Sequence, residues 1–311
     1  PGNPLMDKLQ GMQLFTRVVE SGSFTTAAEQ MGMSRALASK VIRNLEDALG
    51  VRLLNRTTRR VSLTDPGRNY YQRVSEILTQ LSEVEAEAAN LQVEPRGRLR
   101  VSAPISFSVR YLAAAFAEFQ KRYPRIELDL ELNDRLVDLV EEGFDVAVRI
   151  GKLADSSLVA RRIAPACLLL VAAPSYLERF PAPQHPQDLA RHEFILYSLS
   201  PRRDEIVLQK AAESVPVRVR GRVINNNGDY IAAITALGQG ISLLPAFIVA
   251  EQLASGELVR VLPGWTVPSI AIHAVYPQTP MLPAKTRALV DFLVEHFGPE
   301  PEWELQVNRK S

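Results

Sequence analysis

The apolar positions of this chain change period several times, and each change marks an element. From Met6 to Glu20, Leu9, Met12, Phe15, Val18 and Val19 recur at helical spacing, and Ser21-Gly22-Ser23 ends the run. A short helix capped by Thr25, with Ala27, Ala28 and Met31 inward, is expected next, followed by a tight turn at Gly32. Ser34 then offers an N-cap oxygen to a helix that runs to Leu49 and stops at Gly50. Its expected buried stripe is Leu37, Val41, Leu45 and Ala48, which leaves Arg35, Ser39, Lys40, Arg43 and Asn44 mostly on the other side. Two short helices joined by a glycine turn, the second one basic on its outer face, make a helix-turn-helix pattern. On its own residues the second helix reads as either a solvated surface helix or a DNA-reading one.

Val51, Leu53 and Leu54 are expected to anchor the next stretch, and Thr57 to Arg60 form a basic tip between two short extended pieces. That is a β-hairpin wing over the sugar-phosphate backbone or a plain charged loop. From Pro66 to about Gln92 a long helix carries Tyr70, Val74, Ile77, Leu81, Val84, Ala88 and Leu91 at alternating spacings of four and three. So narrow a seam needs a partner, either its own domain or a second copy of the helix.

Beyond a hinge at Glu94-Pro95-Arg96-Gly97 the period alternates between strand and helix. Strand Leu99–Ser102, helix Phe107–Tyr123, strand Ile126–Leu130, helix Asp134–Glu142 and strand Asp145–Ile150 predict a parallel sheet with covered faces. A second unit follows, with strands at Phe194–Tyr197, Glu205–Gln209 and Val215–Val223, helix Asp229–Leu237 and apolar Ile241–Leu244. Strand Ile270–Tyr276 is late enough to return to the first sheet, and helix Ala284–Phe297 closes the pattern. Pro299 to Ser311 is expected to be a mobile tail.

Composition sharpens this picture in two places. The formal net charge is +1, yet Ser34 to Arg60 holds seven basic residues against two acidic ones, a footprint for a phosphate-bearing partner. The single cysteine, Cys167, excludes a disulfide framework and sits in an apolar run, where a buried thiol is expected. No apolar run is long enough to span a membrane and no secretory signal opens the chain, so a cytoplasmic location is expected.

Phe24-Thr25-Thr26-Ala27-Ala28, the helix ending Asn44-Leu45-Glu46-Asp47-Ala48-Leu49-Gly50, Leu53-Leu54-Asn55-Arg56-Thr57 and Leu63-Thr64-Asp65-Pro66-Gly67 occur together and in order. As a set they resemble the N-terminal domain of LysR-type transcriptional regulators. The chain departs at Arg35-Ala36, where the family often has Gln-Pro, and at Pro66-Gly67, where it commonly has Ala-Gly. The resemblance implies a multidomain α/β chain: a winged helix-turn-helix (all-α with a β-wing) over residues 6–65 and a dimerising linker helix over 66–93. It also implies a two-lobed α/β effector domain over 94–298, similar to type 2 periplasmic binding proteins, with a tail over 299–311. Lobe I would take about 97–170 and 270–298, and lobe II about 171–269. The implied partners are double-stranded DNA carrying an interrupted palindrome, a small-molecule effector, RNA polymerase and further copies of the chain, as a dimer or dimer of dimers. No cofactor and no metal are expected.

The DNA-contacting set on this reading is Thr25, Ser34, Arg35, Ala36, Ser39, Lys40, Arg43, Arg56, Arg59 and Arg60. Arg35 and Ser39 are the expected base readers, with Lys40 and Arg43 nearer the backbone. In a two-lobed α/β domain the ligand lies at the carboxyl ends of the strands. Ser102, Pro104 and Ser106 follow the first strand and open a helix, Asn133 ends the second strand, and Arg149 ends the third. Asn226 precedes a helix in the second lobe, and Phe194 and Tyr197 would supply an aromatic wall. Ser102, Asn133, Arg149 and Asn226 match family effector positions. Each also has a structural alternative, such as helix capping or a carboxylate pair, and an anionic effector would make Arg149 its counter-charge. Four dispersed histidines, no nucleophile elbow and no phosphate-binding glycine loop give catalysis no support. A ligand-binding protein without DNA function is the competing reading.

Overall fold

The structure, a computed structural model, describes residues 4–56, 61–88, 94–151, 158–279 and 282–308. The chain divides into two compact units, Pro1–Gly97 and Arg98–Ser311.

In the first unit α1 (Pro4–Ser21), α2 (Phe24–Gln30) and α3 (Arg35–Leu49) enclose Leu14, Phe15, Val18, Ala27, Ala28, Ala38, Ile42 and Leu45. The cap of α2 is Ser23, whose Oγ accepts the Thr26 N–H at 3.3 Å, so Thr25 is an exposed first-turn residue and not the cap. Ser34 caps α3 through the Leu37 N–H, and Gly50 ends it with φ +68. The buried stripe of α3 is Ala38, Ile42 and Leu45; Leu37 and Ala48 are exposed and Val41 is half-buried. The helix is therefore rotated by about one position from the expected stripe. Helical spacing fits either set, and Glu46 sides with the observed one: its carboxylate turns inward and accepts the N–H groups of Leu53 and Leu54 at 2.9 and 3.1 Å. A periodicity argument counts that glutamate as outward.

Strands β1 (Leu54–Arg56) and β2 (Val61–Leu63) pair antiparallel as a hairpin. Its expected tip, including Arg59 and Arg60, lies outside the described residues. Leu53 and Leu54 are buried, whereas Val51 is exposed and anchors nothing. Helix α4 (Asp65–Ala88) starts where Thr64 Oγ1 accepts the Gly67 N–H. A Cβ at Gly67 would sit 2.0 Å from the Leu53 carbonyl oxygen, which explains the glycine. Tyr70 and Tyr71 meet Phe15 edge-on and Val74 is buried, but Ile77 and Val84 further along the seam are exposed.

The second unit begins with β3 (Gly97–Ala103), α5 (Ile105–Phe107), a π-helical turn Ser108–Leu112 and α6 (Ala113–Arg122), which form one continuous helical run. Next come β4 (Ile126–Leu132), β5 (Val146–Gly151), β6 (Leu158–Ala166), β7 (Leu168–Ala172), α7 (Pro174–Arg179) and β8 (Glu193–Tyr197). The hairpin β9 (Glu205–Lys210) and β10 (Glu213–Arg218) leads to β11 (Arg220–Asn225), α8 (Gly228–Ala236), β12 (Ile241–Pro245), α9 (Ala246–Ser255) and β13 (Val259–Arg260). The run ends with β14 (Ile270–Pro277), α10 (Ala284–Phe297) and α11 (Glu302–Asn308).

Ten of these strands make two five-stranded sheets, ordered β4-β3-β5-β14-β6 and β11-β8-β12-β7-β13, and the β9–β10 hairpin is a sheet of its own. Strand β14 does return to the first sheet. It runs antiparallel to β5 and β6, so that sheet is mixed, while β3 and β5 keep the expected parallel pairing. Because β7 belongs to the second sheet, the chain crosses between lobes at Cys167, a few residues before the expected boundary.

Three further expectations fail for identifiable reasons. Residues 134–142 form no regular helix. Asp138 Oδ1 takes the N–H groups of Val140 and Glu141, and Gly143 at φ +70 ends the single turn that results. The stretch Val215–Val223 is two strands in different sheets, broken where the Val219 N–H turns to the Asp204 carbonyl. The expected mobile tail is helix α11 as far as residue 308, with Trp303 1% exposed.

Candidate DNA-reading helix and effector cleft

On the outer side of α3, Lys40 projects away from buried Ile42, with Ala36, Arg43 and Asn44 exposed around it. Arg35 is exposed in the first turn, Ser39 is half-buried at the flank, and Ser34 is engaged as the cap. Thr25 is exposed on α2. Arg56 contributes backbone to β1. Leu37, 48% exposed, lies on the outer side although the sequence pattern assigned it to the core. Its apolar spacing gave no signal of that exposure.

The first and third strands of the other unit, β3 and β5, bring Ser102 and Arg149 together. Ser102 and Ala147 are register partners, so Arg149, two residues beyond, projects on the same face. Arg149 Nη2 donates to the fully buried Ser102 Oγ at 3.0 Å, and Nη1 donates to the Val148 carbonyl at 2.9 Å. Burial holds this guanidinium below the usual arginine range; the charge of Arg135 adds to that, and Asp134 and Glu142 partly offset it. Among the described residues no carboxylate lies within ion-pair distance of Arg149. His273 is its register partner on β14; burial and then Arg162 lower the imidazole pKa, and its Nδ1 is buried without a partner among the described residues.

The remaining expected effector residues divide. Pro104 precedes the helical run, and Ser106, 5% exposed, has a hydroxyl with no partner among the described residues. Asn133 donates Nδ2 to Glu131 at 3.0 Å, while its buried Oδ1 is unmet. Tyr197 is half-buried, its hydroxyl pushed up to about 12 by burial and then by Asp134. Asn226 is exposed. Phe194 does not belong to an aromatic wall: it is 1% exposed in the second-lobe core with Leu170, Tyr176 and Ile241. Three residues along one strand, Phe194 and Tyr197 face opposite sides of the sheet.

One residue that sequence reasoning passed over joins the two lobes. Asp134 Oδ1 accepts the Ile105 N–H at 3.1 Å, and Oδ2 accepts Asn227 Nδ2 at 3.4 Å from the start of α8. Its assignment to a helix hid it. Nearby, Arg110 on the first lobe grips Asp229 on the second at 2.9 Å.

Cys167, at the lobe crossing, donates its backbone N–H to Glu304 Oε1 at 2.7 Å. Burial, followed by Glu304, pushes its thiol up to about 12, which suppresses the thiolate at neutral pH. Native protein at neutral pH is expected to react with a disulfide reagent more than about ten-fold slower than unfolded chain. Equal rates would contradict that burial.

A helix-turn-helix with a basic outer helix, on a chain that also folds two α/β lobes joined through Asp134 and Asn227, is the build of a ligand-responsive DNA-binding protein. Residues 9–68 match the bacterial regulatory helix-turn-helix proteins of the lysR family, and residues 92–298 match the LysR substrate binding domain. The chain belongs to the LysR family of transcriptional regulators, which bind DNA through the helix-turn-helix and effectors through the second domain, and it is not an enzyme. It is 38% identical to the HTH-type transcriptional regulator PtxR of Pseudomonas aeruginosa, over 94% of each chain. It is 33% identical to the HTH-type transcriptional activator AaeR of Escherichia coli, again over 94% of each. The solved structure of CrgA, a LysR-type regulator from Neisseria meningitidis, aligns with a TM-score of 0.59 at 33% identity, covering 93% of this chain and 98% of that one. Full-length AphB, a virulence activator of Vibrio cholerae, aligns with 0.57 at 32% identity, covering 92% and 98%.

Proposed function

We propose that this regulator takes an effector with an acidic group between its lobes, where Arg149 receives that group, and that occupancy changes its DNA binding or bending. The observation that carries the reading is Arg149 itself: a half-buried guanidinium fixed by Ser102 and the Val148 carbonyl, with no carboxylate in ion-pair range among the described residues. A cation held that way is prepared for an anion, because its desolvation is already met and its orientation set. Ser106, Asn133, Asn226 and Tyr197 complete the candidate contacts, without Phe194.

At the DNA, Arg35 and Ser39 read base edges, Leu37 offers an apolar contact for a thymine methyl, and Ala36 permits close approach. Lys40, Arg43, Thr25, Arg56, Arg59 and Arg60 lie along the phosphates. The exposed Ile77 and Val84 of α4 support pairing with a second chain. Two heads related by a two-fold axis read an interrupted palindrome, and the family habit of pairing dimers extends this to a tetramer. Control of RNA polymerase in the cytoplasm completes the reading.

The test uses a ligand found by thermal-shift screening of the full chain. Arg149→Ala is expected to retain operator binding and lose the ligand's effect on it. An unchanged dose response removes Arg149 from the site.

A further inference from the structure

The charges of the cleft say more than that an anion enters it. We infer that Asp134 sets the effector's chemical class: one acidic group for Arg149, a hydrogen-bond-donating amino or hydroxyl group for Asp134, and no second acidic group. The inference rests on the reading of Arg149 above.

The unmet groups around Asp134 are mostly acceptors. A carboxylate accepts at about four lone-pair positions, and the structure gives Asp134 the Ile105 N–H and a longer bond from Asn227. Asn133 Oδ1, on the adjoining residue, is a buried acceptor with no donor among the described residues. Ser106 Oγ, one residue beyond the Ile105 N–H that Asp134 holds, is also buried and unmet, and its hydroxyl can accept as well as donate. Buried acceptors without donors are costly, so a ligand that donates there offsets that cost. The negative charge also reaches across the cleft: Asp134 acts on Arg149 in the first lobe and on Tyr197 in the second. An acidic ligand group near Asp134 meets a like charge in a partly desolvated place, while one near Arg149 meets its opposite. A cation and an anion facing the same ligand select a molecule that carries the complementary pair.

β-Alanine and malonate share a three-carbon skeleton and differ in this respect, the first pairing a carboxylate with an ammonium and the second carrying two carboxylates. Thermal unfolding of the full chain is followed with each probe at neutral pH and ionic strength matched with chloride. Wild-type protein is expected to be stabilised by β-alanine more than by malonate. Asp134→Asn keeps an acceptor for the Ile105 N–H and removes the charge. It is expected to shift the malonate-to-β-alanine affinity ratio by about ten-fold or more towards malonate. Circular dichroism and operator binding establish that the variant is folded, and Asp134→Ser serves if it is not. A ratio unchanged from wild type, or no response to either probe in both proteins, overturns the role of Asp134. If the malonate gain survives in Asp134→Asn combined with Arg149→Ala, charge selection by Asp134 stands and Arg149 as the anion's partner fails.

Discussion

Trp303→Ala is expected to destabilise the ligand-binding unit by about 3–5 kcal/mol, the range for truncating a large buried aromatic. The indole is 1% exposed and lies among Phe107, Tyr111, Phe247 and Phe297 at ring-centroid distances of 5.5, 4.6, 6.3 and 5.6 Å. Its Nε1 donates to the Pro165 carbonyl at 3.2 Å. Removal leaves a cavity that four rings cannot all collapse into, and it strands a carbonyl close to the lobe crossing. Because Phe107 belongs to the first lobe and Phe247 to α9 of the second, the indole also ties the lobes near their crossing. Trp303→Phe, which loses the hydrogen bond and part of the volume, is expected to fall between alanine and wild type. Urea unfolding of the full chain measures both, and a loss below about 1 kcal/mol for alanine would show that the C-terminal helix is not docked there.

Arg35→Ala is expected to cost about 1–3 kcal/mol on an operator selected by the wild type from randomised duplexes, and to relax the preference at one base position. The guanidinium is exposed in the first turn of α3, beside the exposed Leu37 and Ala36, where base edges come within reach. Arg43→Ala, one turn beyond Ser39 on the outer side, is expected to weaken all sequences by a similar factor. Competition binding on the selected and randomised duplexes separates the two. If both variants lose affinity uniformly, the groove-facing side of α3 has been assigned wrongly.

Features built from local chemistry were legible in the amino-acid sequence. Ser34 and Gly50 bracket α3 because a hydroxyl cap and a left-handed glycine act within a few residues of themselves. One long-range feature was legible as well: the late place of β14 in the chain suggested its return to the first sheet. Features decided by distant partners were not legible. The rotation of α3 depends on Glu46 turning in to meet the N–H groups after Gly50. Asp138 diverted residues 134–142 from helix to turn, which freed Asp134 to join the lobes. Phe194 and Tyr197 are a different case: their separation of three along a predicted strand already puts them on opposite faces, and the wall overlooked that period. The tail looked mobile because a single tryptophan among charges has no periodicity, and its ordering comes from the aromatic cluster it completes.

That the outer face of α3 engages DNA is tested most directly by the salt dependence of operator binding for wild type, Arg35→Ala and Arg43→Ala. Each phosphate contact releases condensed counterions, so the logarithm of the affinity should fall linearly with that of salt. Arg43→Ala should reduce the slope by about one, and Arg35→Ala should leave it unchanged. No binding at low salt, or one slope for all three proteins, would contradict the account.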